Sequence, residues 1–176
     1  MKNIVLTILL SALVSVANAE YRGVIEYGLS GVENHDVTSS PRIGLQYNSQ
    51  GWESEISWQH WFTNDGNLSD KNVESSGRSY YGNNLFSLDY RKILFGSRKF
   101  VYSIGSGLSA IEMKSIDINQ KEVFDSYRTL LNISATISYK LTRAVNLRLS
   151  ALTSLEMQSQ LSPVFGSLNL GVNSRF

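Results

Sequence analysis

The chain has only two imidazoles, His35 and His60, and it has no cysteine. That composition rules out thiolate catalysis, Cys-ligated metal and a disulfide scaffold. His35 stands beside Asp36 and near Ser39 and Ser40, while His60 shares the parity of Trp58 and Phe62. A general base must reach its nucleophile within hydrogen-bond distance, and neither histidine belongs to a His-x-Ser motif. Gly105, Gly107 and Ala110 match the G-x-G-x-x-A dinucleotide fingerprint by letter only. That fingerprint needs a strand-to-helix turn, whereas these residues lie in an alternating stretch. Asp65, Asp70 and Glu74 could offer oxygens to a hard cation, but they lack the spacing of a known loop. The expectation is therefore no catalytic centre, no cofactor and no metal. A different constellation is more promising: Arg22, Glu26, Arg42, Glu53, Glu55, Asp89, Arg91, Lys140, Arg148, Glu156 and Arg175. Each occupies the polar parity of an apolar–polar alternation. If those parities face one another, eleven ionisable groups share one interior and must pair to be tolerated there.

The elements that would hold these groups are readable in the same alternation. Residues 1–19 form a separate unit: Lys2, the apolar stretch Ile4–Val16, and the small-residue pattern Ala17-Asn18-Ala19 read as an export signal. Residues 20–176 are then one domain, and losing Lys2 leaves equal numbers of acids and bases. A neutral chain is a poor partner for nucleic acid, which requires concentrated positive charge. Beyond the leader no apolar run approaches the 18 or so residues of a spanning helix.

Period two governs what remains. Ile25, Tyr27 and Leu29 alternate with Glu26; Ile43, Leu45 and Tyr47 with Arg42 and Gln46; Ile56 and Trp58 with Glu55 and Gln59. The same pattern recurs around Phe86–Tyr90, Phe100–Leu108, Leu131–Tyr139, Val145–Leu155 and Leu168–Phe176. Side chains on a strand point alternately to opposite faces, so these are eight strands with one apolar and one polar side. Long polar connections (Ser30–Ser40, Thr63–Arg78, Glu112–Ser126, Gln158–Ser162) alternate with short ones near Asn48–Gly51, Phe95–Arg98 and Leu141–Ala144. That rhythm fits an all-β, eight-stranded antiparallel up-and-down transmembrane barrel. Pro41 and Pro163 fall where strands leave long loops, outside any central ladder.

Strand length, low charge and aromatic placement decide which face is inside. The strands run to roughly ten residues, the length needed to cross a bilayer at a tilt. Charged residues are 18% of the chain, below the roughly 25% of soluble domains. Tyr21, Tyr27, Trp52, Phe62, Tyr80, Tyr90, Tyr139 and Phe176 sit near the ends of the apolar rows, as girdle residues do. The apolar rows should then meet lipid, and the charged set should fill the lumen.

The last strand carries Leu168, Leu170, Val172 and a terminal Phe176 on one face. It resembles the C-terminal signal of bacterial outer-membrane proteins that the barrel-assembly machinery reads, with Ser174 departing from the apolar residue usual there. Residues 20–176 as a whole resemble the small-barrel class of OmpA transmembrane domains and the OmpX/Ail group. That resemblance implies an outer-membrane location after Sec-type export. It also implies contact with membrane lipid and lipopolysaccharide, and a monomer with four loops outside. By analogy of fold it implies adhesion or defence against host factors, with an extracellular ligand held by the long loops. Tyr80, Tyr81, Ile116, Ile118, Val123 and Phe124 are apolar enough to contact such a partner, or to extend the strands as a protruding sheet. The alternatives are a narrow ion or small-solute channel and, third, a barrel enzyme that modifies lipid A.

Overall fold

The computed structural model describes residues 20–32, 37–62, 79–116, 122–157 and 161–175. The export signal, His35, Asp65, Asp70, Glu74, Ile118 and Phe176 lie outside the described residues, as do the side chains of Tyr80, Tyr81, Ile116, Val123 and Phe124.

Eight strands follow one another: β1 (Glu20–Val32), β2 (Thr38–Ser49), β3 (Trp52–His60), β4 (Ser79–Gly96), β5 (Phe100–Ile116), β6 (Glu122–Lys140), β7 (Val145–Met157) and β8 (Leu161–Arg175). Each pairs antiparallel with its sequence neighbours, and β1 pairs with β8 to close the ring. No helix occurs among the described residues. Closure removes every free sheet edge over the paired length, which is how a barrel satisfies its backbone without outside partners.

The faces sort as the alternation predicts, in an inside-out sense. Ile25 is 66% exposed on the outer wall, whereas Arg91, one of the bulkiest inward side chains, is 0% exposed. Aromatic pairs ring the short-turn end of that wall: Trp52 stacks on Tyr90, Tyr21 packs edge-on against Tyr47, and Phe100 tilts against Tyr139.

Two features differ from the expectation. β5 runs to Ile116 and β6 starts at Glu122, so most of the connection read as Glu112–Ser126 is paired strand. Both prolines lie inside strands. Pro41 pairs with Tyr27, and the β2 ladder to β3 begins one residue later at Arg42. Pro163 sits at a bulge where the β7–β8 register shifts past Val164, a position that tolerates a missing N–H.

Inward glycines let the sheet curl. A Cβ on Gly28 would lie 2.0 Å from the Leu168 carbonyl oxygen, and one on Gly105 would lie 1.9 Å from that of Tyr90. The first marks the β1–β8 seam and the second the β4–β5 seam, on opposite sides of the ring. Backbones approach so closely there that only a residue without a side chain fits.

Candidate functional site

The lumen is layered along its axis. At the level nearest the short turns, Arg22 pairs with Glu20, and Gln46 accepts from Asn173 Nδ2 at 2.9 Å. Above them lies an ionic layer centred on Glu55. Its carboxylate meets Arg91 Nη2 at 2.5 Å, Arg148 Nη2 at 2.6 Å and Arg42 Nη2 at 2.9 Å. Glu26 takes Arg42 Nη1 at 3.2 Å and Arg148 Nε at 3.1 Å, while Glu53 takes Arg91 Nε at 3.4 Å. Asp89 lies 3.6 Å from Arg42 and accepts from Asn132 Nδ2. Hydroxyls complete the shell: Ser150 donates to Glu26, Ser103 to Glu53, and Arg42 donates to Ser57. Because Arg148 on β7 reaches Glu55 on β3, these pairs stitch the ring across its bore.

The strands produce this convergence by simple registry. Glu55 faces Asp89 across the β3–β4 ladder, and Glu26 faces Arg42 across β1–β2, all with inward parity. Several carboxylates shared by several guanidiniums neutralise one another, as isolated buried charges could not.

Next comes a neutral layer. Gln59 Nε2 donates to Ser30, Ser40 and Asn169, and Asn132 Oδ1 accepts from Ser109 and Ser154. Toward the long-loop end the chemistry changes abruptly. Trp61, Leu85, Ile111, Leu130, Leu152, Val164 and Phe165 form a buried apolar cluster inside the ring, with the Trp61 and Phe165 rings 5.1 Å apart. This cluster corrects the expectation of a lumen that is polar throughout. Its signal is present in the sequence as apolar doublets that break the alternation at one level: Trp61-Phe62, Leu85-Phe86, Leu130-Leu131 and Ala151-Leu152. In each, one residue faces out and its neighbour faces in.

Of the eleven charged residues singled out, seven belong to the ionic layer: Glu26, Arg42, Glu53, Glu55, Asp89, Arg91 and Arg148. Arg22 is buried one level below. Lys140 and Arg175 are exposed at the short-turn mouth, outside the network. Glu156 sits at the opposite end and pairs with Arg128 of β6. Their parity is inward, but the strands outrun the filled part of the bore, so inward no longer means buried.

The described histidine is on the outer wall. His60 Nδ1 lies 3.1 Å from Asn84 Oδ1, and Asn84 Nδ2 donates to Glu112 at 2.8 Å. Its ring also stacks with Trp58 and meets Phe62 edge-on. Leu168, Leu170 and Val172 point outward from β8.

No family model matches the chain, and no curated protein matches it in sequence. Solved structures do match in fold. The chain is similar to Neisserial surface protein A, with 15% identity, a TM-score of 0.60, and 90% of this chain and 97% of that one covered. It is similar to Ail, the attachment invasion locus protein of Yersinia pestis, with 12% identity and a TM-score of 0.55 over the same shares. A de novo designed transmembrane β-barrel matches at 10% identity and a TM-score of 0.51, covering 89% of this chain and 95% of the design. These likenesses show the fold: an eight-stranded closed barrel of the small outer-membrane type.

Proposed function

We propose that the chain is a monomeric outer-membrane barrel whose task is to present its long-loop end to the surroundings, on a lumen that carries no solute. The observation that carries this reading is the double filling of the bore. An ionic layer and an apolar cluster stand one above the other, and Arg42, Arg91, Arg148, Phe165 and Leu130 are all less than 2% exposed. Eight strands leave an interior that side chains can fill, and here they do so with two unlike chemistries.

The membrane setting is supported by the inverted faces, by the aromatic ring above the short turns, and by the fold shared with outer-membrane barrels. In this reading residues 1–19 direct Sec-type export. The outer rows touch lipid and lipopolysaccharide, and the β8 face of Leu168, Leu170 and Val172, together with Phe176, engages the assembly machinery. The short turns are periplasmic. Two of the fold relatives carry surface and attachment in their names, and rigid scaffolds place binding in their loops. A protein of this kind needs no catalytic group, and incubation with lipid A should leave its acyl pattern unchanged.

Planar-bilayer recording tests the closed lumen: the purified protein should give no unit conductance steps, and reproducible steps from the wild type would refute it. Deleting each long loop in turn should reduce binding to a host-cell surface while outer-membrane permeability stays constant. Altered permeability with unchanged binding would favour a channel instead.

A further inference from the structure

Charge is distributed unevenly between the two ends of the barrel. Lys92, Arg98, Lys99, Lys140, Arg143 and Arg175 are all exposed, and all lie at the short-turn end. Backbone hydrogen bonds knit the segments that carry them: Lys140 N donates to the Lys99 carbonyl, Arg175 N to that of Ala144, and Ile93 N to that of Gly51. Lys92 has outward parity, Arg98, Lys99 and Arg143 lie on the short turns, and Lys140 and Arg175, of inward parity, are exposed at the rim, so the six follow the rim in an arc from β4 round to β8. Among the described residues the acids at this end are already engaged. Glu20 pairs with Arg22, and Glu53 is buried against Arg91. The long connections at the other end carry more acids than bases in sequence.

The arc meets the aromatic ring at Lys92. Lys92 Nζ sits 5.8 Å from the centroid of Trp52, which itself stacks on Tyr90. Aromatic rings mark the headgroup level of a bilayer, and long basic side chains extend from apolar walls to place their charge among headgroups. A basic cluster at that depth is complementary to anionic lipid.

We propose that this arc binds the headgroups of anionic phospholipid in the leaflet that surrounds the short-turn end, and so fixes the barrel's depth there. This inference rests on the membrane reading above. Six cations near an anionic surface should enrich phosphatidylglycerol over phosphatidylcholine in the lipid shell by about threefold or more, and 0.5 M salt should erase most of that preference.

The test reconstitutes the full mature chain in mixed phosphatidylcholine–phosphatidylglycerol nanodiscs and counts retained lipids by native mass spectrometry after mild delipidation. The comparison is a variant with all six cations changed to Gln. Wild-type enrichment that is lost in the variant and in high salt supports the proposal. Equal retention of the two lipids by inserted wild type overturns it while leaving the membrane reading intact. Failure of the wild type to insert into either lipid overturns both. Should the variant fold poorly, the wild type's salt dependence alone decides: an enrichment unchanged by 0.5 M salt overturns the proposal.

Discussion

Glu55 and Phe165 occupy the same bore, and both are buried almost completely, yet they fill it by opposite means. Around Glu55, three guanidiniums arrive from β2, β4 and β7, so each charge is tolerated only because its partners are present. Around Phe165, six further apolar side chains pack with no directional requirement, and each contributes in proportion to the surface it hides. The ionic layer is therefore specific and brittle, whereas the apolar layer is adaptable and additive. A bore closed by both should resist ions at one level and water at the other.

The comparison can be broken most severely from the wall that holds both layers. Gly105→Val would drive a side chain into the Tyr90 backbone; the loss should approach the whole folding stability, about 5 kcal/mol or more. Circular dichroism after refolding should then show no native barrel, and a normal spectrum would remove the seam argument. Within the ionic layer, Glu55→Ala should cost about 3–5 kcal/mol, because three guanidiniums lose their shared partner. A urea-unfolding midpoint like that of the wild type would show the layer to be unstrained without its hub. In the apolar layer, Leu130→Ala should cost about 2–5 kcal/mol. It should leave the bilayer silent, since the ionic layer beneath stays whole. The smallest effect belongs to Arg128→Ala. Its pair with Glu156 is half exposed at the Arg end, so the loss should stay below about 1 kcal/mol and shrink further in salt.

Much of this architecture is legible in the alternation. The parity of Glu26, Arg42, Glu55 and Arg148 is enough to place them on one inner face, because a strand has only two faces. Parity says nothing of depth, however. Lys140 and Arg175 share the inner parity but lie past the filled bore, and Glu156 lies past it at the other end. Depth depends on how far each strand is paired, and long-range register is not written in any local window. The apolar layer was hidden for a related reason. Leu85, Leu130 and Leu152 each sit beside an outward apolar residue, so each doublet reads as a lapse in alternation. Only the closed ring, which brings those lapses to one level, turns them into a cluster.

The seam between β1 and β8 joins the two ends of the chain, with Arg22 opposite Arg175 and Gly28 opposite Asn169. Among the described residues no other pairing spans so much sequence, so its loop-closure entropy is the largest of the eight ladders. Its register cannot be checked until the seven intervening ladders are in place. This junction should therefore zip last as the barrel folds, and until it does β1 and β8 remain two unsatisfied borders.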